Sequence, residues 1–349
     1  MFFSKSKNVV GLDIGSSAVK LVELKEKKGG TYELVKLGIE RLSPEAIVDG
    51  SIMDSSLVVE TIGRLNSEKA VKNSNYATSL SGHSVIIKKI SLPAMSPEEL
   101  AESIQWEAEQ YIPFDINDVN LDYVPLTAPG TGETIDVILV AVKKEKINDY
   151  TSVISQTGKV PVLVDVDAFA LQNCYEMNYS VEDGKVLALV NVGASVTNVN
   201  VFSGPFWRDI TFGGNQYTDA IQRELSLSFE QAEELKKGKP VGDYTIQQVI
   251  PILNSVSEDF AGELRKTLDF FTATSGADRV DEIVLAGGGS GVLNLDAILR
   301  DKFGIPVSVM DPFAKVTVDE KEFNPEELAE VGPSMAIAVG LAIRKLGDA

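Results

Sequence analysis

The chain has a single cysteine, Cys174, so no disulfide can form within it. That fits a reducing compartment and leaves Cys174 as a small buried filler. It has a single histidine, His83, which excludes a metal site built on several histidines and suits a turn or strand end. No stretch of about 20 apolar residues is present to span a membrane. The first residues, Met1 to Lys7, lack the apolar core of a signal peptide. Basic residues are few, 32 against 51 acidic ones, for a formal charge of −19. Such a surface repels nucleic acid and anionic lipid. The short run Lys25 to Lys28 contains Glu26 and reads as a solvated hairpin end. No Walker A motif exists, because Gly158-Lys159, Gly184-Lys185 and Gly238-Lys239 are not followed by Ser or Thr.

What is present is enough apolar sequence, 44% of 349 residues, for two domains or one large one. The stretch Val9 to Leu24 runs apolar to Asp13, turns at Gly15-Ser16-Ser17, then alternates through Val19, Leu21 and Glu23. This predicts strand, tight turn, strand. Turn amides at Gly15, Ser16 and Ser17 can hold phosphate oxygens. Asp13 sits where a carboxylate can hold magnesium through water, and Lys20 returns as a point charge. The pattern recurs half a chain later, from Leu189 through Asn191, Gly193, Ala194 and Ser195 to Phe202. Two such hairpins, one per half, suggest related domains clasping a phosphate chain.

Between them, 76 to 160 reads as βαββα, a compact α+β insert, with Tyr76–Leu80 and Ser84–Leu92 taken as paired strands around Ser81-Gly82-His83. Ser96-Pro97-Glu98-Glu99 starts a helix with a capping box. That helix carries Gln105, Trp106, Glu109 and Tyr111, whose aromatics are core residues or line a partner groove. Two further strands flank Pro129 to Gly132. The strand Val160 to Val166 leads into a helix from Asp167. Asp167 is placed to cap that helix, while Asp165 is a candidate water-orienting base. The glycine turn Gly287-Gly288-Gly289-Ser290 follows a buried strand. It lacks the third glycine of a dinucleotide fingerprint and suits a purine and ribose lying flat on backbone. The last segment, Gly332 to Ile343, places Ala336 and Gly340 on one helical face, which permits a close helix crossing at a hinge.

In order, Leu12 to Gly15, Asp165 to Leu171, Asn191 to Gly193, Leu285 to Ser290 and Pro333 to Ala342 resemble the five motifs of the actin, Hsp70 and sugar-kinase superfamily. The insert resembles that of the division protein FtsA. Segments 96–100 and 105–114 are closer still to the PilM family of type IV pilus assembly proteins. The resemblance implies an α/β fold of duplicated actin-like (ribonuclease H-like) domains around a nucleotide cleft. The first domain would take 1–75, 161–180 and part of a closing helix at 333–346. The insert would take 76–160, and the second domain 181–332, with an adenosine-side subdomain at about 213–280. It implies Mg2+ with ATP or ADP, held by Asp13, Gly15, Ser16, Ser17, Lys20, Asn191, Gly193, Ala194 and Ser195. Glu233 and Lys236 match ribose and base contacts, and Gly287 to Ser290 the adenosine turn.

It also implies a cytoplasmic scaffold, peripheral at the inner membrane, that binds the N-terminal cytoplasmic tail of PilN beside the insert. The scaffold would link motor ATPases to the envelope alignment complex; platform proteins are further implied partners, and self-association is open. Gln105, Trp106 and Glu109 are the candidate groove residues. One departure stands out: Asn191 replaces the usual aspartate of the second phosphate loop. Asparagine loses the charge, so slow hydrolysis or none is expected. A sugar-type kinase would need more than Asp165. An Hsp70-like chaperone would need a substrate domain beyond residue 349. An FtsA-like filament protein would need an amphipathic helix after the closing helix, which is expected to run almost to Gly347.

Overall fold

The computed structural model describes residues 8–126, 133–202, 204–275 and 279–347. Met1 to Lys7 and the Pro129–Gly132 turn lie outside them. The chain opens with β1 (Val10–Ile14), β2 (Ala18–Glu26) and β3 (Tyr32–Arg41), an antiparallel meander. A short hairpin follows, β4 (Ile47–Val48) and β5 (Ser51–Ile52). Its turn residues Asp49 and Gly50 both have positive φ, the conformation that Asp-Gly supplies. Helix α1 (Ser55–Glu68) starts at Asp54, whose Oδ1 accepts the Leu57 amide at 2.9 Å. Then come β6 (Asn75–Leu80), β7 (Val85–Pro93), α2 (Pro97–Ala108), β8 (Val119–Pro125), β9 (Thr134–Lys143) and α3 (Lys144–Gln156). The expected capping box at Ser96 and Glu99 is formed, with the Glu99 amide 3.2 Å from Ser96 Oγ.

The first half closes with β10 (Val160–Val166) and α4 (Asp167–Asn178). The second begins with β11 (Leu187–Val192), β12 (Thr197–Val201) and β13 (Phe206–Ile210), again a meander. Helices α5 (Gly214–Leu225), α6 (Phe229–Lys236) and α7 (Ile246–Ser275) follow. Then β14 (Glu282–Ala286), α8 (Leu295–Phe303), β15 (Val307–Val309), β16 (Val316–Thr317), α9 (Pro325–Val331) and α10 (Ala336–Ala342) complete the chain.

The two large sheets have one design. Their orders are β10-β6-β1-β2-β3-β16 and β13-β12-β11-β14-β15. In each, a meander's first strand pairs in parallel with a fourth strand, which pairs in parallel with a fifth. This is a duplicated α/β domain, as the repeated hairpin implied. β16 crosses from the second half of the sequence to extend the first sheet beside β3.

The structure corrects the expected insert. β6 and β7 are not partners. β6 lies between β1 and β10, buried at nearly every position as a parallel strand covered on both faces. β7 belongs to a separate sheet of order β7-β9-β8. α3 also belongs to the first domain, where Tyr150, Val153 and Ile154 share a core with Ile62 and Leu65 of α1. The insert is therefore β7, α2, β8 and β9, with its own core around Leu100, Ile104, Val137 and Leu139. It spans residues 85–143 rather than 76–160.

The closing helix crosses the centre of the molecule, as its small residues suggested. A Cβ on Gly340 would overlap the carbonyl oxygen of Ala170 in α4. A Cβ on Gly11 of β1 would overlap the carbonyl oxygen of Ala338. The helix is shorter than expected and ends at Ala342. Beyond it, Lys345 forms an antiparallel bridge with Asn8. Replacing Gly340 with valine should destabilise the fold by roughly 3 kcal/mol or more, because backbone cannot yield as a side chain does. Denaturant unfolding checks this, with Gly291→Ala as the control, since a Cβ there meets nothing within 4 Å.

Candidate functional site

The two meanders aim their first turns at each other. Ser16 Oγ and Ser195 Oγ lie 3.0 Å apart, the tips of the two repeated hairpins in contact. Each turn is closed the same way. The Gly15 amide donates to Ala18 O at 3.1 Å, and the Gly193 amide to Val196 O at 3.0 Å. The carbonyls of Gly193 and Ala194 accept from the Gly214 and Asn215 amides at the start of α5, at 2.9 and 2.8 Å. Peptide planarity then turns the amides of Ala194 and Ser195 away from α5. A Cβ on Gly213 would sit 2.5 Å from Ala194 O, so only glycine lets α5 dock there. Asn215 Nδ2 also donates to Ser195 Oγ at 3.2 Å.

Asp13 and Lys20 face each other across β1 and β2 and form an ion pair of 2.7 Å, largely buried. The other carboxylates fall differently from expectation. Asp165 is ion-paired with Arg344, beyond α10, and accepts the Val166 amide at 2.8 Å. Its carboxylate is committed to that pair, so it has no free oxygen pair with which to orient water. Asp167 is the carboxylate that lies near Asp13. It does not cap α4 through its side chain. Instead it accepts Ser79 Oγ at 2.6 Å and also bonds Ser81. Burial, then the nearby charge of Asp13, pushes its carboxyl up to about 6.

Asn191 lies at the end of β11, in the place that Asp13 holds on β1. Its Nδ2 donates to Asn198 Oδ1 at 2.8 Å, and Asn198 Nδ2 donates to Asp209 Oδ1 at 2.9 Å. Asn191 Oδ1 faces the glycine turn, where a Cβ on Gly287 would lie 2.7 Å from it. Gly287 has φ +84, and its amide donates to Pro333 O at 2.7 Å. Gly289 packs onto Val192, and Ser290 folds back to bond Gly287 O. Of the four turn residues only Gly288 is exposed. The turn is thus backbone-paved, but its hydroxyl points inward.

Glu233 and Lys236 are brought together across α6 and tie it to α5. Lys236 donates to Glu233, to Thr218 Oγ1 at 2.8 Å and to Gly214 O at 3.0 Å. Thr218 donates to the same Glu233 oxygen. Burial disfavours the Glu233 charge, but Lys236 outweighs it and holds the carboxyl below its usual range. Among the described residues no group of three or more His, Cys, Asp or Glu could hold a metal by itself. The donor set suits a cation held by one or two carboxylates, waters and a ligand's phosphates, the habit of magnesium.

The insert presents a second surface. Among the described residues β8 is an edge strand, paired only with β9. Beside it lies a cleft of about 490 Å³ lined by Gln105, Ile116, Val119, Leu121, Asp122 and Lys144. A second, of about 400 Å³, lies between Pro97 and Leu100 of α2 and Tyr123 and Pro125 of β8. Gln105 thus lines a cleft. Trp106, 73% exposed, stands on the open surface of the same helix, and Glu109, also exposed, caps its end. Trp106 is not core, whereas Tyr111 packs against the insert core.

Sequence reasoning missed Thr218, Asn198 and Asp209. Asn198 and Asn200 carried a readable signal: two asparagines at period two inside an otherwise apolar strand need partners.

A sequence profile described as "Type IV pilus assembly protein PilM" matches residues 11–346. The solved structure titled "PilM-PilN type IV pilus biogenesis complex" superposes with a TM-score of 0.86 and 32% identity, over 97% of this chain and 98% of that one. EutJ from Carboxydothermus hydrogenoformans gives a TM-score of 0.57 at 13% identity, over 96% of this chain and 89% of its own. MreB5 of Spiroplasma citri, bound to ADP, gives 0.52 at 12%, over 96% and 95%. The last two are similar in fold alone.

Asp167 makes a pH test available. Its native pKa lies above the ordinary 3.8, so the folded state holds an extra proton between about pH 4 and 6. Its contribution is fully present below pH 4 and lost as pH rises through 6. Asp167→Asn cannot ionise. Relative to wild type it should gain up to about 3 kcal/mol of stability between pH 4 and pH 7. Denaturant midpoints across that range check it.

Proposed function

Because the chain belongs to the PilM family of type IV pilus assembly proteins, we propose that it is a cytoplasmic, nucleotide-binding, actin-like scaffold of the pilus machine. The observation that carries the nucleotide reading is the meeting of two repeated hairpins at Ser16 and Ser195, 3.0 Å apart. The amides of Ala194 and Ser195 and the turn Gly15-Ser16-Ser17 would hold phosphate oxygens of ATP or ADP. Asp13 would hold Mg2+ through water, and Lys20, now paired to Asp13, would be released toward phosphate. Gly288 and the backbone around it would carry the adenosine, with Glu233 and Lys236 near the ribose and base. When bound, Mg-ATP supplies a phosphoanhydride bond whose hydrolysis needs an activated water. Asn191 brings no charge to that task, Asp165 is engaged by Arg344, and Asp167 is held by Ser79. Turnover is therefore slow or absent.

The kinase alternative rested on Asp165 and loses that support with the Arg344 pair. The partner is the N-terminal cytoplasmic tail of PilN, received beside the insert, where the β8 edge and its two clefts suit an extended peptide. Among the described residues no helix is long and apolar enough to cross a membrane. In this reading the protein is peripheral at the inner membrane through that tail, and it links motor ATPases to the envelope alignment complex. Calorimetry with Mg-ATP and Mg-ADP tests the nucleotide reading. Wild type should bind, and Asp13→Ala should bind at least about tenfold more weakly, the loss of one charge-assisted contact. Multiple-turnover hydrolysis at ordinary ATPase rates, abolished by Asp13→Ala, would contradict the scaffold reading.

A further inference from the structure

The second phosphate hairpin and the insert are joined by a hydrogen-bonded chain that runs through Asp209. Asp209, on β13, accepts from Asn198 through Oδ1 at 2.9 Å and from the Gly82 amide through Oδ2 at 2.6 Å. Asn198 in turn accepts from Asn191 at 2.8 Å. Gly82 sits in the four-residue link between β6 of the first domain and β7 of the insert, with φ +82. The same link is held on its other side by Asp167 through Ser79 and Ser81. Carboxylates of two different domains therefore grip the entrance to the insert.

The chain has a direction that chemistry imposes. A carboxylate only accepts, so it must draw the NH2 of Asn198 toward itself. That leaves the Asn198 carbonyl for Asn191 and obliges Asn191 to present its NH2 to Asn198. The Asn191 carbonyl is then the free end, facing the glycine turn at Gly287. Asn191 and Asn198 are buried, where a misoriented amide leaves unpaired groups at high cost. The charge missing from position 191 is thus present two hydrogen bonds away, at Asp209.

We propose that Asp209 is a positioning residue that sets the Asn191 carbonyl toward the cleft and ties that setting to the entrance of the insert at Gly82. A cation–phosphate ligand that engages Asn191 would then be felt at β7, and a partner that moves β7 would be felt at Asn191. The ligand part rests on the nucleotide reading above; the physical link does not.

Amide hydrogen exchange on the full chain without ligand tests the link first. Asp209→Asn, which can donate as well as accept, should raise exchange both at Gly82 and in segment 191–198. Asn198→Ala should raise it in 191–198 while leaving Gly82 protected. An effect of Asp209→Asn confined to Gly82 would overturn the link. Calorimetry with Mg-ADP then tests the positioning. Asp209→Asn should bind about tenfold more weakly than wild type, and Asp209→Asn/Asn198→Ala no more weakly than either single variant. Equal affinity of wild type and Asp209→Asn would overturn the positioning role and leave the nucleotide reading intact. Absence of binding by wild type would remove the nucleotide reading and with it the ligand half of the proposal, while the exchange result still decides the link.

Discussion

The molecule depends on one close approach of backbone to backbone. α10 crosses α4 at Gly340 and Ala170 and lies on β1 at Gly11 and Ala338. These contacts leave no room for a side chain at either glycine. They bring the segments after β10 and after α9 into one packed centre, shared with Leu187, Leu189 and Val284 of the second sheet. With that centre fixed, the turns after β1 and β11 meet at Ser16 and Ser195. A larger residue at 11 or 340 would run into backbone and disturb that centre. The small residues of the closing helix thus let that centre pack backbone against backbone.

Most of this was legible in the sequence. The repeated hairpins, the capping box at Ser96 and the glycine turn each have a local physical signature and formed where expected; the small-residue helix makes its close crossing as expected but ends early, at Ala342. The failures share a cause. Tyr76–Leu80 and Ser84–Leu92 flank a Ser-Gly-His link that looks like a hairpin turn. Only burial of β6 on both faces assigns it to the parallel sheet, and that depends on α1, α3 and α4 from elsewhere in the chain. Asp165 and Asp167 stand two residues apart at one strand end. Which one is held in an ion pair is decided by Arg344, far along the sequence. Trp106 is apolar on an amphipathic helix, so core was the default, yet the insert core is filled by Leu100, Ile104 and Ala108 without it.

The first hairpin carries a buried carboxylate paired with lysine. The second carries an amide at the same place, linked through another amide to a carboxylate at the surface. The duplicated domains therefore carry equivalent hairpins with formal charge on only one of them. In the proposed reading such a pair would bind phosphate without cleaving it, because water activation needs a base close to the reacting phosphorus. The same surface carboxylate touches the entrance to the insert, so the second hairpin and the insert share a hydrogen-bonded boundary.

The measurement that decides whether this is a nucleotide-responsive pilus scaffold is titration of a synthetic PilN N-terminal peptide into the full chain, by calorimetry, with and without Mg-ATP. Saturable one-to-one binding is predicted, with an affinity that differs between the two conditions and so gives the coupling free energy between cleft and insert. Absence of peptide binding in both conditions, with Mg-ATP itself bound, would contradict the scaffold function and leave an actin-like nucleotide-binding protein whose partner lies elsewhere.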